Sequence, residues 1–442
     1  MASVFHALPL GIGEAFLLIT EEFGNQQVIL VDSGNKKGSV TSHSLVQAIS
    51  EAAPDIKTID IAVCTHQDRD HVNGYLKFFD AWNLQGNSVK ELWLPGAWAD
   101  AALDAVRSPR ELLRRIENGA LEAWQALGPD MFDIVKVEEV FRESYAAQFP
   151  AEETDMPSQE WRQPDGSLNS FFGLTTIEHA KLKELLDIFE DEYGLNNKLF
   201  RKFQKKKYRF IWPNLADWKY FESGWPLWQD AIETADVIQQ VASSAIRHDV
   251  NIRWFNFRDF EKNGTPWGGK KGLLEPLNAV EMVSPRGVSD MNLFFSLALS
   301  KQNVESLLFI RPETEEPAVL FSGDSRFHFG VQNPENAFNI YQKNICKIPI
   351  VTAPHHGSRV NDVAYPEIER ILGDKIMYVR NGCHWKMRLN HLLKKDQKWC
   401  AQCKECSNRD HFSRRKSRRM TFVTSNRMWM PPIDPNLRCS GP

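Results

Sequence analysis

No stretch of this 442-residue chain is apolar for long enough to cross a bilayer. Nor does the start show a signal-peptide pattern: Met1 runs almost directly into the strand-like segment Val4–Leu10. Internal repeats and low-complexity tracts are missing, which argues against solenoid and fibrous architectures. Cysteine is scarce, at seven residues, and three of the seven are clustered. That usage looks like metal ligation in a reducing compartment rather than a disulfide framework. A net charge of only −4 points to no partner until it is localised. Together these absences lead us to expect a cytoplasmic protein without a membrane segment. Apolar content is ordinary at 42 %, so a large core is available. The length suits two or three domains, or one domain carrying an insertion.

Charged and imidazole side chains are concentrated at Thr65-His66-Gln67-Asp68-Arg69-Asp70-His71, where His66, Asp68, Asp70 and His71 are candidate metal ligands. The preceding Thr58–Cys64 is rich in β-branched residues, as in a buried strand. The ligands therefore fall on a loop at the strand's C-terminal end, where a rigid base can aim them at one point. Three further strand-like segments end in similar chemistry. Val28–Gly34 ends at Asp32, Leu320–Ser325 at Asp324, and Ile348–Ser358 at the pair His355-His356. Such an assembly of imidazoles and carboxylates can hold divalent metal ions.

This order of strand ends resembles the metallo-β-lactamase fold hydrolases. More narrowly it is similar to the branch found in competence-type DNA-uptake proteins, which has Asp where most of the superfamily has the second His of its HxHxDH motif. Leu10-Gly11-Ile12-Gly13-Glu14 is similar to that branch's Gly-x-Gly-Asp start, and Asn292–Leu299 resembles its Asn- and Ser-containing strand. The resemblance implies an αββα sandwich with two active-site divalent ions, zinc or manganese. It assigns His66 and Asp68 to the first ion, Asp70 and His71 to the second, and Asp324 as a bridge. One of His355 and His356 completes the set. Asp70, His71 and Asp324 would be the catalytic centre, with ions about 3.5–4 Å apart activating one shared water. An oxygen-rich set favours Mn²⁺ or Mg²⁺ more than an all-nitrogen one does. Two dications against three carboxylates leave a positive site, suited to a phosphate oxyanion. Asp32 is a candidate for orienting a histidine, and equally for a strand-end turn with Gly34. His384 is a candidate for the superfamily's late histidine. Its mid-chain histidine has no counterpart: His248 reads as part of a solvated segment.

Along the chain we expect a first part of this fold over 1–96, a mostly helical insertion over 97–250, its second part over 251–373, and a basic module over 374–442. Helices are expected over Ser42–Ala53 and Val72–Trp82. In the last module lysine and arginine outnumber acidic residues up to Arg419. There Cys400, Cys403, Cys406 and His411 have spacing that suits a structural zinc, with Cys383, His384 and His391 as alternative fourth ligands. The adjacent Arg414, Arg415, Lys416, Arg418 and Arg419 are candidates for phosphate contact. A second basic run, Lys205–Lys207 interleaved with Phe203, Tyr208 and Phe210, suits either nucleic acid or a solvated helix face. The resulting expectation is a metal-dependent nuclease or phosphodiesterase whose partner is nucleic acid. The alternatives are a hydrolase of a small ester, thioester or cyclic nucleotide, and a non-catalytic metal-binding subunit with a protein partner.

Overall fold

Runs of β-branched and aromatic residues form the frame of the molecule. The computed structural model describes residues 2–10, 13–22, 24–34, 45–150, 181–184, 186, 200, 218–303, 305–313, 315–327, 347–382, 398–400 and 419–432. In chain order the strands are β1 (Val4–Ala7), β2 (Phe16–Glu22), β3 (Asn25–Val31), β4 (Thr58–Val63), β5 (Ser88–Pro95), β6 (Asn251–Asn256), β7 (Glu275–Pro276) and β8 (Val280–Met282). They continue with β9 (Phe309–Arg311), β10 (Val319–Phe321), β11 (Ile350–Thr352), β12 (Met377–Arg380), β13 (Lys398–Cys400), β14 (Met420–Ser425) and β15 (Met428–Met430).

One sheet runs β15-β14-β1-β2-β3-β4-β5-β6-β8 and the other β13-β12-β11-β10-β9-β7. Both are mixed. Strands β3 to β6 are mutually parallel, as are β10 to β13, while the remaining pairings are antiparallel. The sheets face each other across an aromatic core that includes Phe5, Phe16, Trp93, Phe255, Phe309, Phe321 and Phe422. Truncating one such ring to alanine should cost about 3–5 kcal/mol. The other face of the first sheet packs on helices 45–52, 78–83, 99–107, 109–127 and 218–247. The other face of the second packs on 257–263 and 364–372. The layers are thus helix, sheet, sheet, helix. No helix among the described residues is long and apolar enough to cross a membrane.

Described stretches of 97–250 are helical, apart from their connecting turns. Pro109 opens the 109–127 helix, where its missing N–H is harmless. Gly119 lets that helix press on 290–299: a Cβ there would lie 1.9 Å from the Asp290 carbonyl oxygen.

Several local expectations differ from the structure. Asn292–Leu299 is not a strand but part of the helix Asp290–Leu299, capped by Ser289, whose Oγ accepts the Asn292 N–H. Every residue from Asn292 to Leu299 is buried, and such an all-round apolar run carries no periodicity to separate helix from strand. The expected Val72–Trp82 helix is broken into 69–72, a 3₁₀ turn at 75–77, and 78–83. The break lies where the chain touches the β3 loop. Gly74 N–H donates to the Gly34 carbonyl, and a Cβ at Gly74 would sit 2.1 Å from the Ser33 carbonyl oxygen. The first helix begins at Leu45, and 35–44 lie outside the described residues. From 374 onward the described stretches are built into both sheets: β12 and β13 in the second, β14 and β15 in the first.

Candidate metal centre

The C-terminal ends of parallel strands are where a sheet stops satisfying its own chain and loops take over. Here the loops after β3, β4, β10, β11 and β12 supply Asp32, His66 to His71, Asp324, His355-His356 and Asn381. Backbone bonds sew these loops together. Ser33 N–H donates to the His71 carbonyl at 2.7 Å, and His355 N–H to the Gly323 carbonyl at 3.1 Å. His355 and His356 both have positive φ (48° and 53°), a sparsely populated conformation for side-chain-bearing residues that turns both rings inward after β11. Gly357 follows because a Cβ there would meet the Arg380 guanidinium arm at 2.7 Å.

Four imidazoles and three carboxylates converge. His66 Nε2 lies 3.6 Å from Asp324 Oδ2, and His71 Nε2 lies 3.2 Å from Asp324 Oδ1. The rings of His66 and His71 are 4.1 Å apart. His356 Nε2 lies 3.4 Å from Asp70 Oδ2. His355 is the more peripheral of its pair, with Nε2 3.8 Å from Asp324 Oδ2 and a quarter of its side chain exposed. Among the described residues two sets of ligand atoms are close enough to hold an ion, His66–His71–Asp324 and Glu14–His71–His356, each within 4.8 Å.

The hydrogen bonds behind the rings decide which nitrogen each presents. His71 Nδ1–H donates to Asp32 Oδ2 at 2.8 Å. Thr65 Oγ1 donates to the same carboxylate at 2.9 Å and sits 2.9 Å from His66 Nδ1, whose N–H it can accept. His356 Nδ1–H donates to the Asn381 carbonyl at 3.1 Å. All three imidazoles therefore turn an Nε2 lone pair to the centre, the form a metal requires. Asp32 orients His71 directly and His66 through Thr65. Asp32 itself sits at φ 58°, held by its N–H to the Val63 carbonyl. Ser306 Oγ accepts the Asp324 N–H at 3.0 Å, and Asn303 Nδ2 donates to Asp324 Oδ2 at 3.1 Å.

Charge in this buried space is tightly coupled. Burial alone would raise the Asp324 carboxyl, but His71 and His66 outweigh it and hold it well below the usual carboxylate range. Burial would lower His71, yet Asp324 and Asp32 push it well above an ordinary histidine. His356 behaves likewise against Glu14 and Asp70. Asp70 is held low by His356 and His71 against its burial. Burial dominates at His355 and lowers it. The side chains fit a cation by a simple accounting. His66 Nε2, His71 Nε2, Asp324 Oδ1 and both Glu14 carboxylate oxygens are buried without a hydrogen-bond partner among the described residues. Buried polar atoms are rarely left so.

Not every expected residue joins the cluster. Asp70 and His355 belong to neither ligand set, although they lie 3.4 Å from His356 and 3.8 Å from Asp324, and Asp68, half-buried at the N-cap of the 69–72 helix, belongs to neither as well. His248 bonds Asp80 at 2.6 Å, away from the centre. Cys400 is buried in β13, with Sγ 3.8 Å from the Arg380 guanidinium. Arg419 donates to the Glu51 carbonyl. His384, Cys403, Cys406, His411, Arg414, Arg415, Lys416 and Arg418 lie outside the described residues, as do Lys205–Lys207. Sequence reasoning gave no site role to Thr65, Ser306, Asn303, Asn381 or Glu14. Only Glu14 carried a signal, its place in the Gly-rich opening segment. No protein-family model matches the chain, and neither does any curated protein.

Proposed function

We propose that the chain is a metal-dependent hydrolase of the metallo-β-lactamase fold, cleaving phosphodiester bonds, with nucleic acid as its substrate class. The observation that carries this reading is the convergence, at the C-terminal ends of parallel strands, of buried ligand atoms from His66, His71 and Asp324 that have no hydrogen-bond partner among the described residues. Layering of helix, sheet, sheet and helix agrees with it. Divalent ions bound there would lower the pKa of a bound water and attract an anionic substrate oxygen. The chain's own part is to orient and to exclude. Asp32 and Thr65 fix His71 and His66, Asn381 fixes His356, and Ser306 and Asn303 hold Asp324. The apolar core beneath the loops keeps bulk water from the protein side of the site.

A small phosphodiester is the second reading, favoured by one feature of the rim. Arg69 and Lys301 stand there, but each is paired with carboxylates of the 218–247 helix: Arg69 with Glu233 at 2.6 Å, Lys301 with Asp230 at 2.8 Å and Glu233 at 2.5 Å. Incubation with labelled linear and circular DNA, RNA and cyclic nucleotides under Mn²⁺, Mg²⁺ and Zn²⁺ separates the readings. Cleavage of polymers with Mn²⁺ is expected. Failure to cleave any phosphodiester with any of the three ions would sink the proposal, and cleavage of cyclic nucleotides alone would select the second reading. The role of the basic tail is best tested by replacing Arg414, Arg415, Lys416, Arg418 and Arg419 with alanine, which should flatten the salt dependence of nucleic-acid binding. Truncation after Lys398 is a poor test, because it removes β14 and β15 from the first sheet.

A further inference from the structure

Glu14 occupies a place that the catalytic reading above does not use. It is fully buried, and neither carboxylate oxygen has a hydrogen-bond partner among the described residues. Its Oε1 lies 3.2 Å from His356 Nδ1, but that N–H is aimed at the Asn381 carbonyl. With His71 and His356 it forms a set of ligand atoms within 4.8 Å of one another.

The backbone drives this side chain into the centre from two directions. Glu14 N–H donates to the Asp70 carbonyl at 2.9 Å, which ties it to the HxDxDH loop. Gly13 N–H donates to the Gly382 carbonyl at 3.0 Å, and a Cβ at Gly382 would lie 2.0 Å from the Gly13 carbonyl oxygen. Asn381 Nδ2 donates to the Leu8 and Ala15 carbonyls at 2.7 and 3.0 Å, closing the segment from below. A carboxylate held this firmly, out of water and without donors, is strongly unfavourable unless a cation faces it.

We infer that Glu14 is a direct metal ligand, supplying an oxygen to the ion held by His356. The inference rests on the metal-centre reading above. A further hard oxygen donor biases the centre toward Mn²⁺ or Mg²⁺ over softer ions. The experiment titrates metal-free, full-length protein with Mn²⁺, following free Mn²⁺ by electron paramagnetic resonance, and titrates a Glu14→Cys variant with Cd²⁺. Glu14→Gln should bind Mn²⁺ at least tenfold more weakly or lose one equivalent, while Glu14→Asp keeps part of the affinity. Glu14→Cys should gain a cadmium–thiolate charge-transfer band above that of the wild type, a signal that a residue merely packing beside His356 does not produce. Unchanged Mn²⁺ binding by Glu14→Gln, or no added band in folded Glu14→Cys, overturns the assignment. If the wild type binds no divalent ion, both this inference and the metal-centre reading fall. If Glu14→Gln alone is unaffected, only this inference falls.

Discussion

Two of the places where this molecule buries carboxylates are built on opposite plans. At the β5–β6–β8 edge, Arg253 donates to Glu281 at 2.7 Å through two nitrogens and to Glu91 at 3.0 Å, with Lys270 also 3.0 Å from Glu91. The Trp93 indole N–H and the Gly269 N–H fill remaining positions, and the guanidinium stacks over the Trp93 ring. Burial would raise Glu91, but Arg253 and Lys270 outweigh it and hold it low. At the strand-end cluster the carboxylates of Glu14, Asp70 and Asp324 face imidazoles instead, and several ligand atoms have no partner among the described residues. The first arrangement is closed and needs nothing from outside. The second leaves ligand atoms without a partner among the described residues, the opening that the proposed metal ions would fill. A buried charge alone therefore says little about function; whether its partners close the account is what separates a structural cluster from a site.

The largest break in this comparison should come from the open cluster's activity. Asp324→Ala and Asp70→Ala should each lower phosphodiester hydrolysis by on the order of a thousandfold or more, since metal-borne charge stabilisation amounts to several kcal/mol. Metal-free Asp324→Ala should nevertheless unfold at a denaturant concentration close to the wild type's. If either variant turns over near the wild-type rate with saturating Mn²⁺, the metal-centre mechanism is wrong. The closed cluster should show the reverse. Arg253→Met leaves Glu91 and Glu281 buried without their common cation and should destabilise the fold by about 3–5 kcal/mol in urea unfolding, with metal affinity per folded molecule unchanged. A loss of metal affinity without a loss of stability would erase the distinction. The smallest effect is expected at Asp32→Asn, which touches no ion. It weakens the orientation of His71 and His66 and should reduce metal affinity by about 10–100-fold. Isothermal titration with Mn²⁺ measures this, and an unchanged affinity would remove Asp32 from the site.

What the sequence made legible were the strand ends. Asp32, His66, His71, Asp324 and His356 each follow a short apolar β-branched run, and that local pattern survives into the fold because buried parallel strands leave little choice of conformation. The rest is set by contacts between segments distant in the chain. Ser306 and Asn303 reach Asp324 from a turn with no distinctive pattern. Asn381 binds loop carbonyls hundreds of residues earlier in the chain, through a geometry that no spacing announces. Asp68 shows the converse: it stands amid the ligand-like residues, yet the turn that starts the 69–72 helix leaves it half-buried and outside both ligand sets. The 290–299 helix was illegible for want of a polar face, and β14 and β15 because the basic composition around them masks their short alternating runs.

The pairing of β1 with β14 has a consequence for how the molecule is made. Val4 lies opposite Val423, and Ser3 N–H donates to Thr424 Oγ1 at 2.8 Å. During synthesis one side of β1 therefore has no sheet partner until β14, 421 positions later at the Ser3–Thr424 contact, has left the ribosome. At roughly 5–20 residues per second that interval is on the order of 20–80 s. Throughout it the nascent chain carries a hydrogen-bonding edge open to other strands, an edge of the kind that finished proteins keep covered. Slower translation prolongs the exposure.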